Sequence, residues 1–232
     1  MTIFKVIGNW LKIVNCKLRI MNIVNKDQAL EYLKTGKTVV FPTETSYGLG
    51  CDATNQEAVD EVFKIKGRKA DKPLLVVVPT VEMAREYLEW NDLLEKLSKL
   101  WPGALTVVGE YQHPPLTPHL LKGGKARQGQ GGILANGVVS QENTVAVRVT
   151  SAEIPKYLSE KLGRPVVATS ANISDTGDVY DSAELIKIYA GQEFQPDAII
   201  DAGILPPNPP TTIVSVVGGE MKVLRQGELK VD

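Results

Sequence analysis

Phe41-Pro42-Thr43-Glu44-Thr45-Ser46-Tyr47-Gly48-Leu49-Gly50 leads through a helical pattern into Lys64-Ile65-Lys66-Gly67-Arg68-Lys69-Ala70-Asp71-Lys72-Pro73, and this stretch decides the fold class. A short apolar run, Thr38-Val39-Val40-Phe41, runs into it, and another, Leu74-Leu75-Val76-Val77-Val78, follows it. Runs of this length bounded by turn residues read as buried strands. Between them Ala58, Val59, Val62 and Phe63 form an apolar stripe, Thr54-x-x-Glu57 is a capping-box pattern, and Gly67 is a stop, which predicts a helix near 55–66. Strand, helix and strand in succession predict an α/β (α+β) chain. The helix ends in a cationic cluster, with five Lys or Arg against one acid in residues 64–72. Lys64 and Lys66 can complement the negative end of the helix. Arg68 to Lys72 lie past the glycine, on a short connection into a strand, where packed cations want an anionic partner such as phosphate.

Outward from this stretch the alternation continues. Ala84, Tyr87, Leu88, Leu94, Leu97 and Leu100 predict a helix near 81–100, closed by Trp101-Pro102-Gly103, and a strand over Leu105–Val108 follows. Residues 109–143 hold seven glycines and three prolines with little periodicity. A structureless segment of that length inside a domain is a lid, a binding loop or disorder, and mobility is expected there. Beyond it come a strand over Val145–Val149, a helix near 153–162, a strand over Pro165–Ala168 and a helix near 182–190. The last two strands, Thr212–Val217 and Met221–Leu224, are expected to join through Gly218-Gly219 as a two-residue hairpin turn. At the other end, residues 1–25 carry Lys5, Lys12, Lys17 and Arg19 and no acid. These cations interrupt each apolar run before the ~18 residues a transmembrane helix needs. Residues 1–22 therefore read as an N-terminal extension, and 23–232 as one domain.

With 232 residues, 43% hydrophobic and 23% charged, the chain is not disordered, collagen-like or coiled-coil. Its 26 Lys and Arg nearly cancel 27 Asp and Glu, so any anion site must be a local cluster. Cys16 and Cys51 are the only cysteines, too few for a disulfide scaffold or a paired-cysteine zinc site, and they suggest a reducing, cytoplasmic setting. His113 and His119, six apart in a Pro-rich stretch, share no helical face. They read as loop residues, and no metal site is predicted.

Gly48-Leu49-Gly50-Cys51-Asp52-Ala53 matches the spacing of a dinucleotide fingerprint, but where an acid should hold the ribose the chain has cationic Lys66-Gly67-Arg68. The match is read as false. Gly123-Gly124-Lys125-Ala126 is no phosphate loop, lacking both the spacing and the hydroxyl. Two further constellations remain. Thr169-Ser170-Ala171-Asn172 follows a strand, where ligand contacts collect in α/β sheets, although such residues also serve as caps and turns. Arg148 and Arg225 sit singly on strand-like segments, where a buried arginine needs either an ion-pair partner or a ligand.

In this order the segments resemble the YrdC-like family of threonylcarbamoyl-AMP synthases, in its single-domain form. The family pattern Phe-Pro-Thr-Glu-Thr, Tyr-Gly-Leu, Lys-x-Arg, Pro-Leu, Leu-Trp-Pro-Gly, Val-x-Arg, Ser-x-Asn and Leu-Arg-x-Gly falls here at 41–45, 47–49, 66–68, 73–74, 100–103, 147–148 with the preceding Val145, 170–172 and 224–227. The resemblance implies a twisted open sheet of mixed strands flanked by helices around a large concave cavity. It also implies a reaction: bicarbonate carboxylates the L-threonine amine, and the carbamate attacks the α-phosphate of ATP, carried with Mg²⁺, releasing pyrophosphate. A partner transferase would then pass the threonylcarbamoyl group to tRNA beside the anticodon.

By position, Arg68, Lys72, Thr144, Asn172, Tyr180 and Arg225 would lie against ATP, with Lys66 and Arg68 supplying catalytic positive charge. Thr45, Arg148, Ser170 and Thr211 would contact threonine and its carbamate, Arg148 gripping the carboxylate in bidentate fashion. Positioning and charge neutralisation suffice for transfer at a phosphate, so no protein nucleophile is needed. Loop 109–143, with Lys122, Lys125 and Arg127, would close over the unstable adenylate. The chain departs from the pattern at Val77, where many relatives have histidine, at Thr211 in place of serine, at Asp175 in place of glycine, and at Tyr180 in place of a small hydroxyl residue. Two other readings follow from these departures and from the fold: a module binding double-stranded RNA or tRNA, and a paralogue with a different carbamoylation substrate.

Overall fold

The computed structural model describes residues 21–68, 72–114, 132–173 and 177–231. In chain order the elements are β1 (Asn22–Ile23), α1 (Lys26–Lys34), β2 (Val39–Pro42), β3 (Tyr47–Gly50), α2 (Gln56–Lys66), β4 (Val76–Val78), α3 (Val81–Tyr87) and α4 (Asp92–Leu97). They continue with β5 (Leu105–Glu110), β6 (Thr144–Val149), α5 (Glu153–Leu162), β7 (Val166–Val167), β8 (Thr169–Ser170), α6 (Ser182–Tyr189), β9 (Ala198–Ile199), β10 (Thr212–Ser215) and β11 (Lys222–Arg225). The strands form two mixed sheets, ordered β1-β9-β2-β3-β8 and β11-β10-β5-β6-β4-β7. Among the described residues no helix is long and apolar enough to cross a membrane.

The apolar runs become strands covered on both sides, because alternate residues enter two separate cores. Val40 faces the larger core, and Val39 and Phe41 face a smaller one built on α1 and α5; likewise Val76 and Val78 face the larger and Val77 the smaller. Val77 is thus a core residue, and Leu75 is the neighbour that lines the cavity described below. Gly48 and Gly50 lie within β3 rather than in a phosphate-binding turn, and a Cβ at Gly50 would overlap the Val167 carbonyl oxygen. Close strand packing accounts for that glycine, which confirms that the fingerprint match is false.

Several expected boundaries move. The α2 N-cap is Asn55, whose side chain accepts from Ala58 N at 3.1 Å; Thr54 instead bonds Asp52 Oδ1 through its backbone and hydroxyl. Gly67 does close α2, in the left-handed conformation at φ 58°. The expected helix over 81–100 is broken at Leu88, which is extended and bridges Tyr111, and Asn91 caps a new helix at Leu94 N, 2.9 Å away. α1 has a capping box, Asn25 with Gln28, that sequence reasoning passed over. Gly218 and Gly219 take positive φ, but Ser215 pairs with Lys222, so the hairpin loop is longer than two residues.

Residues 132–143 are not structureless. Leu134, Ala135 and Val138 are buried, Ala135 N donates to Ala53 O at 2.9 Å, and Gly137 O accepts from Leu74 N at 2.8 Å. The apolar residues around Gly137 anchor this end of the segment. Lys122, Lys125 and Arg127 lie outside the described residues, as do His119, Asp175 and Cys16. Met21 is buried and Asn22 pairs in β1, so the folded body reaches two residues into the expected N-terminal extension.

Candidate active site

Between the two sheets lies a cavity of about 460 Å³. The two-residue period of the strands builds it. From β6, Thr144, Ala146 and Arg148 face the cavity while Val145, Val147 and Val149 enter the core; β5 contributes Thr106 and Val108 in the same way. The opposite wall is the turn over Thr43, Thr45 and Ser46, the start of β3, and Thr169 and Ser170. Arg68, Pro73, Asp178 and the segment Pro210–Thr211 with Leu224 and Arg225 also line it.

Seven of the residues expected at the site line this one cavity: Thr45, Arg68, Thr144, Arg148, Ser170, Thr211 and Arg225. Arg68 is held at the rim, its Nε donating to Lys72 O at 3.0 Å and Nη2 to Pro73 O at 3.2 Å. Thr43 shapes the opposite turn: its hydroxyl donates to Ser46 O at 2.7 Å and accepts from Thr45 N at 3.2 Å.

Arg148 and Arg225 converge on one hydroxyl. Arg148 Nη2 donates to Thr211 Oγ1 at 2.9 Å and its Nε to Thr106 Oγ1 at 3.1 Å. Arg225 Nη2 reaches the same Oγ1 at 3.2 Å, and its Nε and Nη2 bond Thr211 O at 3.1 and 2.9 Å. Burial pulls the Arg148 pKa below the ordinary arginine value, the Glu44 carboxylate opposes this, and the nearby Arg225 charge adds to it. Two guanidiniums meeting on a neutral oxygen concentrate positive charge at the cavity wall. Arg148 is not a free fork: its Nε and Nη2 bond threonine hydroxyls, and its Nη1 faces Glu44 Oε2 at 3.6 Å.

Lys66, Lys72, Asn172 and Tyr180 are not among the lining residues. Lys66 is only 2% exposed, and its Nζ donates to Ser170 O at 2.6 Å, Asn172 O at 2.8 Å and Asn172 Oδ1 at 2.6 Å. Its ammonium lies beneath the 170–172 turn and fixes it, with Ser170 Oγ also donating to Asn172 Oδ1 at 2.7 Å. Lys66 thus fixes the 170–172 turn, beside the Ser170 that lines the cavity. Lys72 is exposed on the connection after α2. Tyr180 O accepts from Leu205 N at 2.8 Å, on the side of the 204–205 segment, and Asp178 faces the cavity in its place.

Asp178, Thr43, Thr106 and Glu44 were missed by sequence reasoning. Cys51 is buried, and desolvation together with Asp52 raises its thiol pKa well above the ordinary value, which disfavours the thiolate. His113 stacks edge-on against Tyr111, with ring centroids 4.9 Å apart, as a loop residue. Among the described residues no group of three or more His, Cys, Asp or Glu could hold a metal ion.

The family model of the Sua5, YciO and YrdC proteins, described as telomere recombination, matches residues 31–227. A threonylcarbamoyl-AMP synthase of Pyrococcus abyssi is 32% identical over 208 residues, covering 88% of this chain and 54% of the relative. One of Buchnera aphidicola is 30% identical over 194 residues, 82% of this chain and 97% of the relative. The crystal structure of P. abyssi Sua5 complexed with L-threonine matches with a TM-score of 0.73 at 29% identity, over 90% of this chain and 57% of that one. This chain thus spans about half the length of the archaeal relative and nearly all of the Buchnera one. A matched family model over most of the chain, two mixed sheets around a cavity and the ordered motifs that line it agree, and the chain belongs to the Sua5/YciO/YrdC family.

Proposed function

We propose that this protein is an L-threonylcarbamoyladenylate synthase, forming threonylcarbamoyl-AMP and pyrophosphate from L-threonine, bicarbonate and ATP. The observation that carries this reading is the meeting of Arg148 and Arg225 on the Thr211 hydroxyl, in a cavity whose rim holds Arg68. Such a site suits a small zwitterion whose carboxylate needs a cation and whose hydroxyl needs polar partners, next to a polyphosphate. The similarity to a relative crystallised with L-threonine supports it.

In the chemistry proposed, the threonine amine attacks the bicarbonate carbon and water leaves, giving a carbamate. A carbamate oxygen then attacks the α-phosphorus of ATP, and the bond to the β-phosphate breaks to release pyrophosphate. Thr45, Ser170 and Thr211 supply hydroxyls around the threonine, and Arg148 its carboxylate partner. Arg68, Thr144 and Arg225 lie on the nucleotide side, and the Asn172 turn is held from below by Lys66. Mg²⁺ would accompany the phosphates and neutralise charge there. Developing charge is met by fixed cations, so no protein nucleophile is required. Lys72 and Tyr180 enter this assignment only from outside the cavity wall. The product suits hand-over to a transferase acting on tRNA in the cytoplasm.

The test follows pyrophosphate release from ATP and Mg²⁺ with and without L-threonine and with and without bicarbonate. Release dependent on both substrates is expected. ATP binding without threonine-dependent release would instead support a paralogue with another substrate, and salt-sensitive RNA affinity without release would support an RNA-binding module.

A further inference from the structure

Glu44 does not line the cavity, yet it is the acid nearest to its most buried cation. Oε2 faces Arg148 Nη1 at 3.6 Å, with side-chain exposures of 11% and 7%. Oε2 accepts no hydrogen bond among the described residues. Oε1 is tied down instead, accepting from Ser151 N at 2.9 Å, from Ala152 N at 3.5 Å and from the Thr150 hydroxyl. Its own backbone is held too, since Asn208 Nδ2 donates to Glu44 O at 2.9 Å. The carboxylate is thus fixed by the turn after β6, with one oxygen left to face the guanidinium on β6.

Two problems at Arg148 need such a partner. A buried guanidinium without a counter-charge is strongly disfavoured. A second guanidinium, Arg225, also shares the Thr211 oxygen with it, so like charges converge. Thr106 and Thr211 fix one edge of the Arg148 plane but are neutral. Glu44 fixes the remaining end and supplies the negative charge.

Resting on the synthase reading, we infer that Glu44 is a positioning residue for substrate recognition: it holds Arg148 in place and balances its charge at the cavity wall, so that the guanidinium is preset for the threonine carboxylate. It acts through Arg148 and touches no substrate. Glu44→Gln keeps the shape and the acceptor for Ser151 N but removes the charge. It is expected to raise the threonine KM, and the Kd for L-threonine by calorimetry, at least about five-fold, and to leave the ATP KM, measured at saturating L-threonine, within about two-fold, since Glu44 bonds no residue on the nucleotide side. Glu44→Asp should recover part of the loss. In an Arg148→Met background, Glu44→Gln should add nothing further to the threonine KM, because the group it acts through is gone.

Thr150→Val, which removes one hydrogen bond to the carboxylate at little change in shape, covers the case in which Glu44→Gln does not fold. It should raise the threonine KM in the same direction. An unchanged threonine KM in the folded Glu44 or Thr150 variants overturns the inference, as does an equal rise in both KM values. Wild-type protein that neither binds L-threonine nor releases pyrophosphate with it overturns the synthase reading, and this inference with it. Wild-type protein that responds to threonine while the variants behave identically overturns the inference alone.

Discussion

Lys66 and Arg68 are separated by one glycine and do different work. The Lys66 ammonium is enclosed by the carbonyls of Ser170 and Asn172, whereas the Arg68 guanidinium stands at the cavity rim. Lys66→Met leaves those acceptors buried and unpaired, and loss of a buried charged partner costs about 3–5 kcal/mol. Urea denaturation should therefore show a large fall in stability, accompanied by a fall in pyrophosphate release because the Ser170–Asn172 turn is displaced. Arg68→Ala should shift the melting temperature by only a few degrees while lowering pyrophosphate release by about ten-fold or more, the size expected when a preorganised cation is removed. Equal effects of the two substitutions on the melting temperature would show that Arg68 is structural. The difference between the two was half legible. Lys66 follows Val59 and Val62 at the spacing of the buried stripe, which places a cation on the apolar face of α2 and so requires acceptors from elsewhere. What no local pattern contains is that those acceptors lie 104–106 residues further on.

The strand β6 separates core from cavity by its alternation, and Ala146 is the smallest of its cavity-facing residues, between Thr144 and Arg148. Ala146→Leu adds volume to the cavity rather than to the core. The fold should persist, with a near-wild-type circular dichroism melt, while L-threonine and ATP both bind more weakly by about ten-fold. A melt lowered by 10 °C or more would mean that the position is packed rather than open. At this scale the apolar runs were read well and the connections badly. Val39–Phe41 and Val76–Val78 announced themselves as strands because they are covered on both faces, and Val145–Val149 as a short run rich in valine. The break at Leu88 was hidden because an extended leucine bridging Tyr111 and a fresh Asn91 cap leave the helical spacing of the leucines nearly intact. Among the two-residue strands β7 showed through its apolar run, whereas β1, β8 and β9 carry too few residues for any pattern to show. β9 matters all the same, since it bridges β1 to β2 through parallel pairings.

For the whole molecule, the cavity lies between two sheets, so ligand holds together walls that come from distant parts of the chain. A ligand that binds only the folded form stabilises it by about 2.7 kcal/mol at 100 times its Kd. For a chain of this size that corresponds to about 5–10 °C in melting temperature. L-Threonine with a non-hydrolysable ATP analogue should reach that range in a thermal melt, and D-threonine should fall well short of it. Equal shifts for the two enantiomers would remove the stereospecific pocket from the reading. Family membership was legible from the order of the motifs, but the arginine cluster was not, because Arg148, Thr106, Thr211 and Arg225 lie on or beside β6, β5, β10 and β11, which become neighbours only in the order of the second sheet. The oxygen that Arg148 and Arg225 hold in common then acquires a thermodynamic meaning. In the proposed reading, a carboxylate drawing Arg148 and a phosphate drawing Arg225 each change what remains on Thr211, so binding of the two ligands is expected to be linked. Whatever factor the nucleotide then imposes on threonine affinity, threonine imposes on the nucleotide in return, and Thr211→Val should weaken that mutual factor.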